Sequence, residues 1–378
     1  MIGIDMTFIR QNEIENGHLT EGVSVYCEQI LKGIQMNNKQ NDFVLLSFHS
    51  QEKFIRRIFP SFEVRVIDNF IVKCIRMLTG GSRLLGKSHS LLRKFTYSSR
   101  ISDLECIWFP FATNRTFVDS TVPTICTIHD LIMYRNGTKV EKQKYKQFIE
   151  KSTLIVTISN IVKKEIKSEF NYAGQIYVIP NAVEIHNEAV DIISELCNHR
   201  YILDVNAFAE RKNTITLLKA YARIKEKINR KLVLCGGYKE EEYFRKIKEV
   251  IIKERLEKYV YIYIGIDEKQ KDFLFKNADL FVMPSLEEGF GRTPIEAAIN
   301  EIPVICSDIP VLREVTLDML NYYRPITDEV ALANKIMEVL NKRCDRSNLS
   351  QVSNAYKNYY SIEKCLAEYL KIFEKYRS

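Results

Sequence analysis

The chain has 378 residues, a net charge of +7 and 46% hydrophobic residues, enough for two ordinary domains with cores of their own. Its 14 glycines and 9 prolines form no tract, which excludes a collagenous or disordered chain. Nine cysteines are scattered without a C-x-x-C pair, which argues against a zinc site or a disulfide framework and fits a reducing cytoplasm.

The first residues, Met-Ile-Gly-Ile-Asp, run straight into a strand without a signal-peptide pattern. No apolar run reaches membrane-spanning length, so a soluble or peripheral chain is expected. Short apolar runs then alternate with amphipathic stretches, the pattern of doubly wound α/β folds. Strands are predicted at 1–5, 43–48, 64–67, 106–109, 123–128, 153–158 and 176–180, with helices at 22–36, 51–58, 71–79, 82–97, 139–150 and 160–169. Gly17 and Gly22 lie in the first strand-to-helix loop. Gly22 directly precedes the helical pattern and is the better candidate for close backbone approach to a phosphate.

From 71 to 100 the chain carries Lys73, Arg76, Arg83, Lys87, Arg93, Lys94 and Arg100 and no acid, with apolar residues at helical spacing. Such a segment suits an anionic membrane surface, or equally a solvated helix pair packed on its own domain. Nothing resembles a nucleic-acid-binding module, so no nucleic-acid partner is expected. His129 and Asp130 follow a buried strand at its carboxyl end. A histidine there serves either a ligand or, as is usual for a lone histidine, the nearby backbone.

The segment 184–200 reads as an interdomain connection, and a second α/β unit follows. Its strands are predicted at 201–205, 231–235, 259–263, 279–283 and 302–306, and its helices at 213–228, 239–254, 268–276, 294–300, 309–315 and 328–341. A strongly periodic helix closes the chain at 362–376. Two such units in series place a ligand cleft at the carboxyl ends of their sheets. Arg211 and Lys212 stand in the loop after the unit's first strand, where a diphosphate would bind; otherwise they are solvated charges before a helix. Gly236 and Gly237 end the next strand and allow a nucleotide close approach, a weak signal.

The most informative segment is Pro284-Ser-Leu-Glu-Glu-Gly-Phe-Gly-Arg-Thr-Pro-Ile-Glu296, in which Glu288 and Glu296 are seven residues apart. Gly289 and Gly291 permit a tight turn, and Pro294 suits the first helical position, so the peptides around Arg292 and Thr293 form an anion site. That suits a phosphate with a hydroxyl-rich group on either side, as in a nucleotide-sugar. The plainer alternative is a capping box, with Thr293 as N-cap and Glu296 bracing it. No Asp-x-Asp occurs, so no metal clamp on a diphosphate is expected.

The segment from Glu288 to Glu296 resembles the E-x7-E signature of the retaining glycosyltransferases of family four, which have the GT-B fold. Glu210-Arg-Lys-Asn213 is similar to the E-P-R-K-N segment of a subgroup linked to bacterial surface polysaccharide assembly. Thr127-Ile-His129-Asp130-Leu, Ile155-Val-Thr-Ile-Ser159 and Val178-Ile-Pro-Asn181 resemble its other landmarks. The resemblance implies an N-terminal acceptor domain at 1–185, a donor domain at 186–359, and a C-terminal helix at 360–378 crossing back to the first. It implies catalytic positions at His129, Lys212 and Glu288. Donor binding is implied for Gly22, Arg211, Lys212, Gly289, Phe290, Gly291, Arg292, Thr293 and Glu296. In this scheme Glu288 takes hydroxyls of the donor sugar and Glu296 those of the ribose. Backbone N–H groups from Phe290 to Thr293 hold sugar and diphosphate, and His129 bonds the sugar near the reacting carbon.

The expected activity is transfer of a hexose from a UDP- or GDP-sugar to a saccharide acceptor, for example a lipid-linked intermediate at the inner membrane face, without metal or other cofactor. Two departures stand out: Asn206-Ala207 replaces a glycine-arginine pair, and Glu21-Gly22-Val23-Ser24 replaces a fuller glycine run. A catalytically inert sugar-nucleotide-binding subunit of a polysaccharide assembly complex is the alternative that Ala207 suggests. A GT-B epimerase is disfavoured by the E-x7-E loop.

Overall fold

The computed structural model describes residues 1–17, 19, 22–68, 99–112, 122–183, 190–237, 240–342 and 345–377. The expected helices at 71–79 and 82–97, and all of the basic segment except Arg100, lie outside the described residues. The chain divides into two compact units, one of Met1–Ala182 with Ile362–Ser378, the other of Val183–Ser361.

In the first unit seven parallel strands are ordered β3-β2-β1-β4-β5-β6-β7. They are β1 (Ile2–Asp5), β2 (Phe43–Ser47), β3 (Glu63–Val66), β4 (Cys106–Phe109), β5 (Thr124–Ile128), β6 (Leu154–Thr157) and β7 (Gln175–Val178). Every residue of β1, β2, β4, β5 and β6 is buried. Continuous apolar runs of this kind are what a parallel sheet covered on both faces requires. One face is closed by the helix Gly22–Met36 and by the last helix, Ile362–Glu374. A Cβ on Gly33 would stand 3.0 Å from Leu366, so the glycine lets these two helices approach closely. Tyr26, Trp108, Tyr369 and Phe373 form the aromatic centre of that core.

The second unit has six parallel strands in the order β10-β9-β8-β11-β12-β13. These are β8 (Tyr201–Val205), β9 (Lys231–Gly236), β10 (Val260–Ile264), β11 (Leu280–Met283), β12 (Val304–Ser307) and β13 (Asn321–Tyr323). In each sheet the order reverses beside the strand that begins the unit, β1 or β8. Loops from both sides converge there at the carboxyl edge, where open α/β sheets bind ligands.

The α-helices at Gln11–Asn16, Ile132–Asn136 and Arg346–Tyr359, and the edge strand β13, were not anticipated. The helix expected over 213–228 stops at Ile224. No described helix is long and apolar enough to cross a membrane.

Candidate functional site

The second unit brings the loop after β8 against the loop after β11, neighbours in the sheet. The first loop ends in a 3-10 turn at Glu210–Lys212, followed by Asn213 in the left-handed region at φ 57°. Asn213 donates from its amide to the carbonyls of Pro284 (3.1 Å) and Ile326 (3.0 Å), and its side-chain oxygen accepts from the Thr216 hydroxyl at 2.7 Å. Leu286 N–H donates to the Arg211 carbonyl at 2.8 Å, and Arg211 Nη1 to the Glu287 carbonyl at 3.2 Å. Both loops are therefore tied together through backbone carbonyls, by one backbone N–H and by the side chains of Asn213 and Arg211.

On that frame the Glu288 carboxylate receives two cations. Lys212 Nζ donates to Oε1, and Arg211 Nη1 stands 3.6 Å from Oε2. Glu288 and Lys212 are largely buried and Arg211 is partly exposed. A paired, hydrogen-bonded charge at this depth is tolerated where an isolated one would be costly.

Glu296 lies on the helix Arg292–Ile299, whose first residue follows Gly291 at φ 84°. A Cβ on Gly291 would fall 2.4 Å from Leu312 Cδ2, so both conformation and packing demand glycine. Gly289 is not among the described left-handed glycines. The capping-box reading is overturned: the helix begins at Arg292, its cap is Gly291, and no side chain caps it. Pro294 therefore sits third in the helix rather than first. Glu296 instead pairs with Arg292, Nε to Oε1 at 2.7 Å. The Thr293 hydroxyl is buried with no hydrogen-bond partner. The helix start is thus one that no N-cap side chain occupies, the kind of terminus at which anions bind.

Sequence reading missed several groups in this region. Lys271, on the helix Glu268–Asn277, feels burial that lowers its pKa, but Glu296 and Glu268 outweigh this and hold the ammonium above its ordinary value. It lies in a run of surface-like charges, so nothing in the sequence marks it out. Asp204, near the end of β8, is 1% exposed, and burial pushes its pKa up to about 7. Asn206 donates its side-chain amide to Asp204 Oδ1, while Asp204 Oδ2 has no partner. Thr214 and Ser285 also carry buried unpartnered hydroxyls. Such orphans cost about 1–3 kcal/mol each, and their concentration at one sheet edge calls for an explanation.

The helix Arg346–Tyr359 braces the Glu296 helix, since the Ser353 hydroxyl donates to the Ile299 carbonyl at 2.7 Å. Beyond that helix, Tyr360 meets Phe290 edge to face at 5.8 Å. Of the two glycines at the end of β9, Gly237 has nothing within 4 Å of an added Cβ, whereas Gly236 is closely packed. A Cβ on Gly236 would lie 1.9 Å from the Asn206 carbonyl oxygen, so the protein's own backbone fills that space.

His129 and Gly22 belong to the first unit. His129 follows β5, and its Nε2 donates to the Pro110 carbonyl at 2.9 Å, which leaves Nδ1 as an acceptor. Burial draws its pKa down to about 4 against the effect of that bond, so the ring is neutral at pH 7. Tyr26 stands edge to face with it at 4.9 Å between ring centres. Tyr26 in turn bonds Tyr369 through their hydroxyls, and Thr127 Oγ1 links Tyr369 and Trp108 Nε1 at 3.0 Å each. Gly22 opens the helix Gly22–Met36 rather than preceding it, and a Cβ there would meet nothing within 4 Å.

Comparison with known proteins supplies family evidence. Residues 21–187 match the family model "Glycosyltransferase Family 4", and residues 193–358 match "Glycosyl transferases group 1". The chain is 28% identical over 205 residues to the O-antigen chain mannosyltransferase RfbU of Salmonella typhimurium, covering 53% of this chain and 56% of that protein. To the O-antigen chain mannosyltransferase B of Escherichia coli it is 24% identical over 272 residues, covering 66% and 70%. In the first of these pairs the chain spans little more than half of its relative. The structure of Anabaena HepE in complex with UDP and glucose superposes with a TM-score of 0.72 at 13% identity, covering 99% of both chains.

Proposed function

We propose that this chain, whose two halves match glycosyltransferase family models and whose fold is GT-B, moves a hexose from a nucleoside-diphosphate-sugar to a saccharide acceptor with retention. The observation that carries this reading is the pair of cations, Arg211 and Lys212, held on Glu288 beside a helix start that no side chain caps. Two cations and a helix start without a side-chain cap suit a diphosphate, and an adjacent carboxylate suits sugar hydroxyls.

In this proposal Lys212 and Arg211 meet the leaving diphosphate, with the backbone from Phe290 to Thr293 completing the cradle. Glu288 accepts from hydroxyls of the donor sugar, and Glu296 from the ribose. His129, neutral and with Nδ1 as an acceptor, receives a sugar hydroxyl. Gly22 leaves room for the phosphates beside the first loop. The bond from the anomeric carbon to the leaving phosphate breaks as the acceptor oxygen bonds that carbon on the same face. The departing phosphate takes the acceptor's proton, so no protein nucleophile and no metal ion is assigned. The relatives named above are O-antigen chain mannosyltransferases, which supports a surface-polysaccharide acceptor; the proposal takes it to be lipid-linked at the inner membrane face.

The test is release of nucleoside diphosphate from a panel of UDP- and GDP-hexoses, with and without chelator. Activity lost in Glu288→Ala supports the enzyme; donor binding without turnover under any condition supports the inert subunit. The membrane part of the proposal rests on residues 71–100 alone and predicts weaker sedimentation with anionic vesicles once Arg83, Lys87, Arg93 and Lys94 are neutralised. Unchanged sedimentation rejects it.

A further inference from the structure

Asp204 occupies the switch point of the second sheet and has no part in the scheme above. It is 1% exposed, Asn206 satisfies one carboxyl oxygen, and Oδ2 has no partner. The groups that bear on it electrostatically come from several elements: Lys212 and Glu288 on the two loops, Cys235 on β9, Tyr243 on the helix Glu241–Lys253, and Tyr323 on β13. Burial raises the pKa of Cys235 and of Tyr243 to about 12, and that of Tyr323 higher still. Those three are neutral near pH 7, so Lys212 and Glu288 are the charges that matter.

Charge counting then gives Asp204 a consequence. Arg211 and Lys212 against Glu288 leave the site with one net positive charge. An ionised Asp204 cancels it, and a protonated Asp204 preserves it. Lys212 is bonded to Glu288 and not to Asp204, but Asp204 lies within electrostatic reach of it, so a charge there adds to the negative potential around the one ammonium. A diphosphate arriving at Lys212 is therefore disfavoured by any charge on Asp204.

We infer that Asp204 is a positioning residue that makes donor binding proton-linked: its buried carboxyl must carry a proton for Lys212 to be given up to a diphosphate. This rests on the donor-site reading above and deepens it. Binding of the diphosphate takes up a proton wherever free Asp204 is partly ionised. With burial holding its pKa at about 7, that range begins near neutrality. The departure at Asn206-Ala207 fits the same device. Where the resemblance expects an arginine this chain has Ala207, which adds no cation to the site, and where it expects the preceding glycine the chain has Asn206, whose amide donates to Asp204.

The experiment is calorimetric titration of the full chain with UDP and with GDP between about pH 6 and about pH 8.5, on wild type and on Asp204→Asn. The variant is neutral at every pH and retains an oxygen for Asn206; Asp204→Ser is a second uncharged variant should asparagine impair folding. The expected result is a wild-type Kd that weakens about tenfold relative to the variant across that range. Proton uptake, read from buffers of differing ionisation heat, should occur in the wild type and vanish in the variant. Parallel pH dependences with equal proton uptake overturn the inference and leave the donor site intact. Absence of binding by every protein at every pH overturns the donor-site reading and this inference with it.

Discussion

The carboxyl edges of the two sheets use opposite means to present polar groups. In the second unit the edge is charged: Arg211 and Lys212 meet Glu288, and Arg292 meets Glu296. In the first unit His129 is kept neutral by burial and oriented by a carbonyl and an aromatic ring. The difference teaches that a residue's place at a strand end does not fix its chemistry; the surrounding elements decide whether it handles charge or only hydrogen bonds. A diphosphate leaving group needs the first kind of site, and a hydroxyl that must be oriented needs the second.

The largest test of this contrast is Glu288→Ala, which should lower sugar transfer by about a thousandfold, measured as nucleoside diphosphate release. It removes the hydroxyl acceptor and leaves Lys212 buried without its partner. Lys212→Ala should follow, with a loss of about a hundredfold in kcat. His129→Asn should cost only about tenfold, as expected for one neutral hydrogen bond. A loss as large as that of Glu288→Ala would break the comparison.

The same variant sharpens it through pH. The unfolded chain protonates His129 below about 6.5, while the folded chain resists until about 4. Stability from this group is therefore lost as pH falls from 6.5 towards 4, and thermal melting of His129→Asn should lack that part of the decline. Asp204 runs the other way. The folded chain keeps a proton that the unfolded chain releases above 3.8, so stability from Asp204 falls as pH rises from there to about 7. Smallest of all, Tyr369→Phe should cost about 1 kcal/mol in denaturant unfolding with transfer nearly unchanged. A loss of transfer matching that of His129→Asn would show that the aromatic network is part of the site.

The strands were legible because parallel strands buried on both faces are continuous apolar runs, as in Ile2–Asp5 and Leu280–Met283. The helix Arg346–Tyr359 was not, because Ser and Asn are poor helix formers and its stability comes from contacts such as Ser353 with Ile299 and Tyr356 with Thr316. The edge strand Asn321–Tyr323 is only three residues long and presents no alternation to read. In the site, the spacing of Glu288 and Glu296 was visible along the chain. The partner of Glu288 was not, since Lys212 lies 76 positions away and only the strand order makes the loops neighbours. Thr293 misled because Thr-x-x-Glu has the capping pattern, whereas Gly291 turns the chain into the helix two residues too early for it. Asp204 gave no signal at all, since a single acid in an apolar strand does not show which way it faces.

The helix Ile362–Glu374 lends the first unit part of its core, yet it is made after all of Val183–Ser361. Synthesis therefore delivers the second unit complete while the first still lacks Leu366, Tyr369 and Phe373, reversing the usual N-to-C order in which domains mature on the ribosome. Nascent chains arrested just after the second unit has emerged should resist protease within it and be cut within the first unit. Equal resistance of both would mean that the first core closes without its last helix.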